Sequence, residues 1–216
     1  MTEQIKRTME ALKRNNMVPF YAENGQEALE ILKGLIGKDD LIGLGGSVTL
    51  KEIGATALVR GGGYNIIDRY DENLTNEERM ETLRKGLLSD VFLTSSNAIS
   101  EKGELINVDG FGNRGAALVY GPKSVIVVVG KNKIVKNAEE GFERIKKIAA
   151  PKNCQRLNKN NYCTYKEKCM ALLNGEHSLS DGCAGESRIC CSYIVQSYQL
   201  IKDRIKVILV NEELGF

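Results

Sequence analysis

Apolar residues along this chain follow two patterns that alternate, a helical spacing near 3.6 residues and short unbroken runs. Ile5, Met9, Leu12 and Met17 approximate the helical spacing, and Val18-Pro19-Phe20-Tyr21 reads as a short strand behind them. Ala28, Leu29, Ile31, Leu32, Leu35 and Ile36 form a second amphipathic helix. Asp40 to Gly46 then predicts a buried strand running into a glycine turn, with Ser47 placed to cap a helix starting near Val48. Thr75 with Glu78 is a capping box for a helix to about Ser89, and Val91 to Thr94 is the next strand. Gly103 to Gly110 predicts an extended segment bounded by turns. Ser124 to Val129 is the β-branched run of a central strand. Asn137 with Glu140 opens a helix that is expected to end before Pro151. A helix near Tyr193 to Ile201 and a strand from Lys206 to Val210 complete the pattern.

The repeated strand-helix order predicts an α/β fold with a mostly parallel sheet flanked by helices. Residues 152–191 break the pattern, being rich in Asn, Lys, Cys and Gly without sustained periodicity. They predict a loop-rich appendage inserted before the last helix and strand of a single domain spanning residues 1–216, a length that can bury one sizeable core.

Charge narrows the partners. Thirty Lys plus Arg against 28 Asp plus Glu leave a net charge of +2, too small for the positive field of a non-specific nucleic-acid binder. No apolar stretch reaches the length of a membrane span, and Met1 to Asn16 alternates charged with apolar residues where a signal peptide needs an apolar block. A cytoplasmic location is therefore expected. In a reducing compartment, thiols that cluster point to metal or redox chemistry more than to disulfides. All six cysteines fall between residues 154 and 191.

Within that cluster Cys163, Cys169, Cys183 and Cys190 are separated by 5, 13 and 6 residues, with Cys154 upstream and Cys191 adjacent to the last. Four soft ligands from a glycine-rich loop suit zinc or an iron–sulfur cluster, and a metal would order a segment poor in apolar surface. The spacing matches neither a zinc ribbon nor a ferredoxin run, so it does not choose the metal; reduced structural thiols are the competing reading. His177 is the only histidine, which excludes multi-histidine metal sites. It reads as part of a solvated loop, with auxiliary metal ligation as the alternative.

Three polar stretches carry the remaining candidate chemistry. Gly45, Gly46 and Ser47 lie where a strand gives way to a helix, a place suited to phosphate or carboxylate, or simply to a tight turn with a serine cap. Ser95, Ser96 and Asn97 follow another strand and are expected at the same sheet edge, holding a ligand or satisfying their own backbone. Asn107, Asp109, Asn113 and Arg114 form the third. There Asp109 is a candidate proton acceptor and Arg114 a fork for a carboxylate or phosphate, unless the two form a structural ion pair. Gly61 to Gly63 read as a surface turn, with another ligand loop as the alternative, and Lys131, Lys133 and Lys136 as a solvated strand edge, with substrate attraction as the alternative.

Four segments together resemble the LUD-domain family, in the form of the lactate-utilisation proteins of the protein C type. They are Gly45 to Leu50, Thr94 to Ile99, Gly103 to Arg114 and Tyr120 to Val135. The resemblance implies the fold shared by ribose-5-phosphate isomerase, glucosamine-6-phosphate deaminase and the CoA transferases. It also implies a part in oxidising L-lactate or a related organic acid, beside iron–sulfur oxidoreductase partners and with a small anionic substrate. CoA transferases of this fold carry a glutamate nucleophile where Ser95-Ser96-Asn97-Ala98 stands here, so covalent CoA transfer is disfavoured. Some LUD proteins have a similar cysteine tail, matched here by Cys163, Lys168-Cys169, Cys183 and Arg188-Ile189-Cys190 with a longer middle gap. A non-catalytic assembly or regulatory module and a sugar-phosphate enzyme are the alternatives.

Overall fold

The structure is a computed structural model and describes residues 1–175 and 178–216. Its principal sheet has six strands, all paired in parallel: β1 (Val18–Ala22), β2 (Leu41–Leu44), β3 (Asn65–Ile67), β4 (Val91–Thr94), β7 (Ser124–Gly130) and β10 (Ile205–Val210). They lie in the order β1-β10-β7-β4-β2-β3. The last strand in sequence thus enters the middle of the sheet, between β1 and β7.

The unbroken apolar runs follow from burial on both faces. Ile126, Val128, Ile208 and Val210 pack on one side with Leu32, Leu50 and Val59. These come from α2 (Gly25–Gly34), α3 (Val48–Glu52) and α4 (Ala55–Gly61). The alternate residues Val125, Val127, Val129, Val207 and Leu209 pack on the other side with Ile5 and Leu12 of α1 (Glu3–Arg14) and with Leu118 of α6 (Asn113–Val119). Successive side chains of a strand point to opposite faces, so two cores come from one run of sequence.

Local signals placed most helix starts. Ser47 Oγ accepts from Leu50 N–H at 3.1 Å, and Asn137 Oδ1 from Glu140 N–H at 3.0 Å. Thr75 and Glu78 form the full capping box at the start of α5 (Asn76–Lys85). α5 is followed by a 3₁₀ turn through Leu88.

Two expectations are corrected. The helix after Asn137 does not stop at Pro151: α7 (Ala138–Arg144) passes through a π-helical turn at Ile145–Ala149 into α8 (Ala150–Arg156). The π turn resets the hydrogen-bond ladder so that proline sits in the first turn of α8, where its missing N–H costs nothing. The helix expected from Tyr193 to Ile201 is instead a strand, β9 (Ser192–Gln196), followed by a loop. β9 pairs antiparallel with β6 (Leu105–Asp109) from Leu105 opposite Gln196 to Asp109 opposite Ser192. Tertiary pairing outweighs a weak helical pattern here.

β6 belongs to a second sheet of four strands, β8-β5-β6-β9, with β5 (Ala98–Ser100) and β8 (Ile134–Val135). The segment between α8 and β9 contains α9 (Tyr162–Lys166) and a 3₁₀ turn at Met170–Asn174. Lys146 ties it to the body of the protein, its Nζ donating to Ser178 O and Asp181 O, and Arg188 closes the segment on itself by donating to Ser180 O, Cys183 O and Cys190 O.

Candidate functional site

Because β2, β4 and β7 run parallel and adjacent, their carboxyl ends deliver three loops to one edge. Gly46 and Ser47 come from the first, Ser95 to Asn97 from the second and Lys133 from the third. The end of β6 and the start of α6 add Asp109, Asn113 and Arg114. These residues line one cavity of about 430 Å³. Asn153, Arg156 and Lys159 from α8 and the residues after it form the far wall with Glu186, Arg188 and Cys191, and Arg69 and Phe216 also line the cavity. The cysteine-bearing segment is thus a wall of the same cavity.

Gly45 and Asn107 do not line it. Gly45 serves packing: a Cβ there would lie 2.7 Å from Thr94 Oγ1 and 3.1 Å from Thr94 Cβ, so glycine lets the first loop lie against the second. Asn107 is buried and ties the second sheet together. Its Oδ1 accepts from Asn97 N–H at 3.1 Å, while Asn97 Oδ1 accepts from Val108 N–H at 3.0 Å. Asn107 Nδ2 is buried without a hydrogen-bond partner.

Asp109 and Arg114 form a buried ion pair, with Arg114 Nη2 2.6 Å from Asp109 Oδ1. Asp109 Oδ2 accepts from Gly115 N–H at 2.6 Å, and Arg114 Nη2 also reaches Asn97 Oδ1 and Val108 O. Both side chains border the cavity with much of their hydrogen-bonding capacity committed to the protein. Ser96 is likewise engaged, its Oγ donating to Ala98 O at 2.7 Å.

The solvated-edge reading of the lysines is corrected at Lys133, which is 2% exposed. Its Nζ donates to Thr49 Oγ1 at 2.7 Å and to Ser95 Oγ at 3.1 Å. Burial, reinforced by the nearby Arg144 and Arg114 cations, lowers its pKa to about 7. Lys131 and Lys136 remain exposed or nearly so. Position after a central parallel strand was the available signal for Lys133, but its alternation with Lys131 masked it.

Arg69 and the cations of the far wall also escaped sequence reasoning. Arg69 stacks on Tyr70 at 5.6 Å, and among the described residues its guanidinium has no hydrogen-bond acceptor. Burial holds its pKa below the usual arginine range. Five cations line the cavity (Arg69, Arg114, Arg156, Lys159 and Arg188), beside the Lys133 amine, against the carboxylates of Asp109 and Glu186. Gly61 to Gly63 end α4 in a turn away from the cavity.

Cys163 and Cys169 pack with Cys154, Ala171, Leu172 and Ile189. Cys163 is within hydrogen-bonding reach of both the Cys154 and Cys169 sulfurs, which raises its pKa, and the same contact lowers that of Cys154. Cys183 is half-buried, and Cys190 packs beside the second sheet, where burial raises its pKa to about 12. Among the described residues, no group of three or more His, Cys, Asp or Glu side chains is arranged to hold a metal ion. His177 lies outside the described residues.

An α/β domain with a cation-lined cavity at the carboxyl edge of its parallel sheet is the class that fold and site define. The family model described as the LUD domain matches residues 5–210, and the chain belongs to that family, which is associated with lactate utilisation. The crystal structure of a DUF162 family protein from Deinococcus radiodurans has the same fold, with a TM-score of 0.53 and 15% identity over 96% of each chain. No curated protein matches the chain in sequence. Among the described residues no helix is long and apolar enough to cross a membrane.

Proposed function

We propose that the cavity binds a small organic anion and that the protein takes part in the oxidation of L-lactate or a related organic acid in the cytoplasm. The observation supporting this reading is the excess of cations over carboxylates in the lining, with Asp109 already paired to Arg114. Arg69 is the main anchor in this reading, because its donors are uncommitted among the described residues. Electrons from such an oxidation leave on a partner, and an iron–sulfur oxidoreductase is the partner class that family resemblance implies.

Titration calorimetry with L-lactate, pyruvate and inorganic phosphate tests the anion site. Saturable binding that weakens at least about tenfold in Arg69→Ala is the expected result, the loss of one charge-assisted hydrogen bond. Absence of binding by all three anions would overturn it. Phosphate binding alone would favour the sugar-phosphate enzyme, and lactate binding without turnover beside iron–sulfur partners would favour the assembly module.

A soft metal, zinc or an iron–sulfur cluster, is a second proposal, favoured by the packing of three thiols in one polar segment. Cys163 and Cys169 would hold it with Cys154, Cys183 or Cys190, and it would supply local order. Anaerobic purification followed by metal and sulfide analysis tests this. Stoichiometric metal supports the proposal, and its absence returns the cysteines to structural thiols.

A further inference from the structure

Lys133 closes the 3₁₀ turn Lys131–Lys133 that follows β7, and it lines the cavity from inside the protein. Its amine touches two hydroxyls, Thr49 Oγ1 and Ser95 Oγ, and among the described residues it has no ion pair with a carboxylate. The charges that bear on it are the Arg144 and Arg114 cations, which oppose its protonation, and Glu52, which favours it more weakly. A structural lysine in a core ordinarily meets a carboxylate, because an unpaired ammonium is costly to bury. An amine set among hydroxyls and cations gives up its proton more readily than a solvated lysine, and the uncharged amine is a nucleophile toward carbonyl carbon.

The same cavity offers Arg69, beside Gly46, as a partner for a carboxylate. A ligand satisfying both features carries a carboxylate and an aldehyde or ketone. We propose that the cavity takes a small oxo acid and that Lys133 Nζ forms a reversible imine with its carbonyl carbon. This deepens the reading of the cavity as an anion site and rests on it.

The step balances without an oxidant. The nitrogen lone pair adds to the carbonyl carbon, the C=O π pair moves to oxygen, and oxygen takes a proton as nitrogen gives one up. The resulting carbinolamine then loses its hydroxyl as water and forms C=N, so that amine and carbonyl become imine and water. Ser95 and Thr49 lie within hydrogen-bonding distance of Nζ and pass protons between nitrogen and oxygen. An imine draws electrons from the adjacent carbon, so the hydrogens next to the former carbonyl become exchangeable.

The test uses the full chain with pyruvate as the probe and sodium cyanoborohydride as the trap, followed by peptide mapping. One reduced adduct per chain on Lys133 is expected, with Lys131 and Lys136 unmodified at the same pyruvate concentration. Exchange of the pyruvate methyl hydrogens with deuterium oxide should accompany it and disappear in Lys133→Met. Combining Thr49→Val with Ser95→Ala should slow trapping by about 10²-fold. If Lys133→Met does not fold, mapping of the unaltered chain still decides. Pyruvate that binds in calorimetry but gives no adduct, or adducts scattered over surface lysines, would overturn the imine and leave the anion site standing. Failure of lactate, pyruvate and phosphate alike to bind would remove both.

Discussion

Arg114 closes on Asp109 so that one carboxylate oxygen takes both Nε, at 2.9 Å, and Nη2, at 2.6 Å, leaving the other oxygen to cap α6 through Gly115 N–H. The pair therefore joins the end of β6 to the helix that follows it. It also brings Asn97 into contact, since Arg114 Nη2 donates to Asn97 Oδ1 at 2.8 Å. The cavity edge is held by these bonds before any ligand arrives.

Removing one partner should accordingly cost stability. Arg114→Ala leaves a carboxylate buried without its counterion, and a loss of about 3–5 kcal/mol is expected in urea denaturation. A variant that lost anion binding at unchanged stability would show that the pair serves the ligand rather than the fold.

Lys133 should make stability depend on pH in the alkaline direction. Its pKa is lowered to about 7 in the folded chain against 10.5 for the ordinary group. Between those values the unfolded chain binds more protons, so stability rises as pH rises from about 7 to about 10.5, and the full penalty is present below about 7. Lys133→Met should flatten that rise in thermal melts, whereas Lys131→Met should not.

Gly45→Ala forces a Cβ to within 2.7 Å of Thr94 Oγ1, in a place where the branched Thr94 side chain is buried. Overpacking of this kind costs about 1–3 kcal/mol. Calorimetric melting of the variant checks it, and an unchanged melting temperature would mean that the two loops can part freely.

Cys169→Ser should loosen residues 152–191 while sparing the six-stranded sheet, because the thiols pack in a cluster of their own away from both faces of that sheet. Limited proteolysis should show faster cleavage within that segment and the same resistance elsewhere. Loss of bound metal in the same variant, if the purified chain carries metal, would link the two effects.

The apolar runs at Leu41–Leu44, Val91–Thr94, Ser124–Gly130 and Ile205–Val210 were legible in the sequence, because burial on both faces confines polar residues to the ends of these strands, as at Thr94, Ser124 and Lys206. So were the caps at Ser47, Thr75 and Asn137, since a capping side chain bonds a backbone group only three residues away. From strand ends alone, the meeting of the loops of Ser47 and Ser95 at one sheet edge also followed. Strand order was another matter: it depends on pairing between residues far apart in sequence, such as β10 with β1 and β7. That order places the turn after β7 beside the loop after β4 and so buries Lys133 against Ser95. The alternation Lys131, Lys133, Lys136 contains no trace of which amine turns inward. Tertiary structure likewise made a strand of Ser192–Gln196 by offering β6 as its partner, and it brought Cys154 to Cys163 by folding α8 back along α9. Local sequence determines which residues are apolar and where a helix begins. Which polar side chains lose their water, and so change their chemistry, is decided only when distant segments close over them.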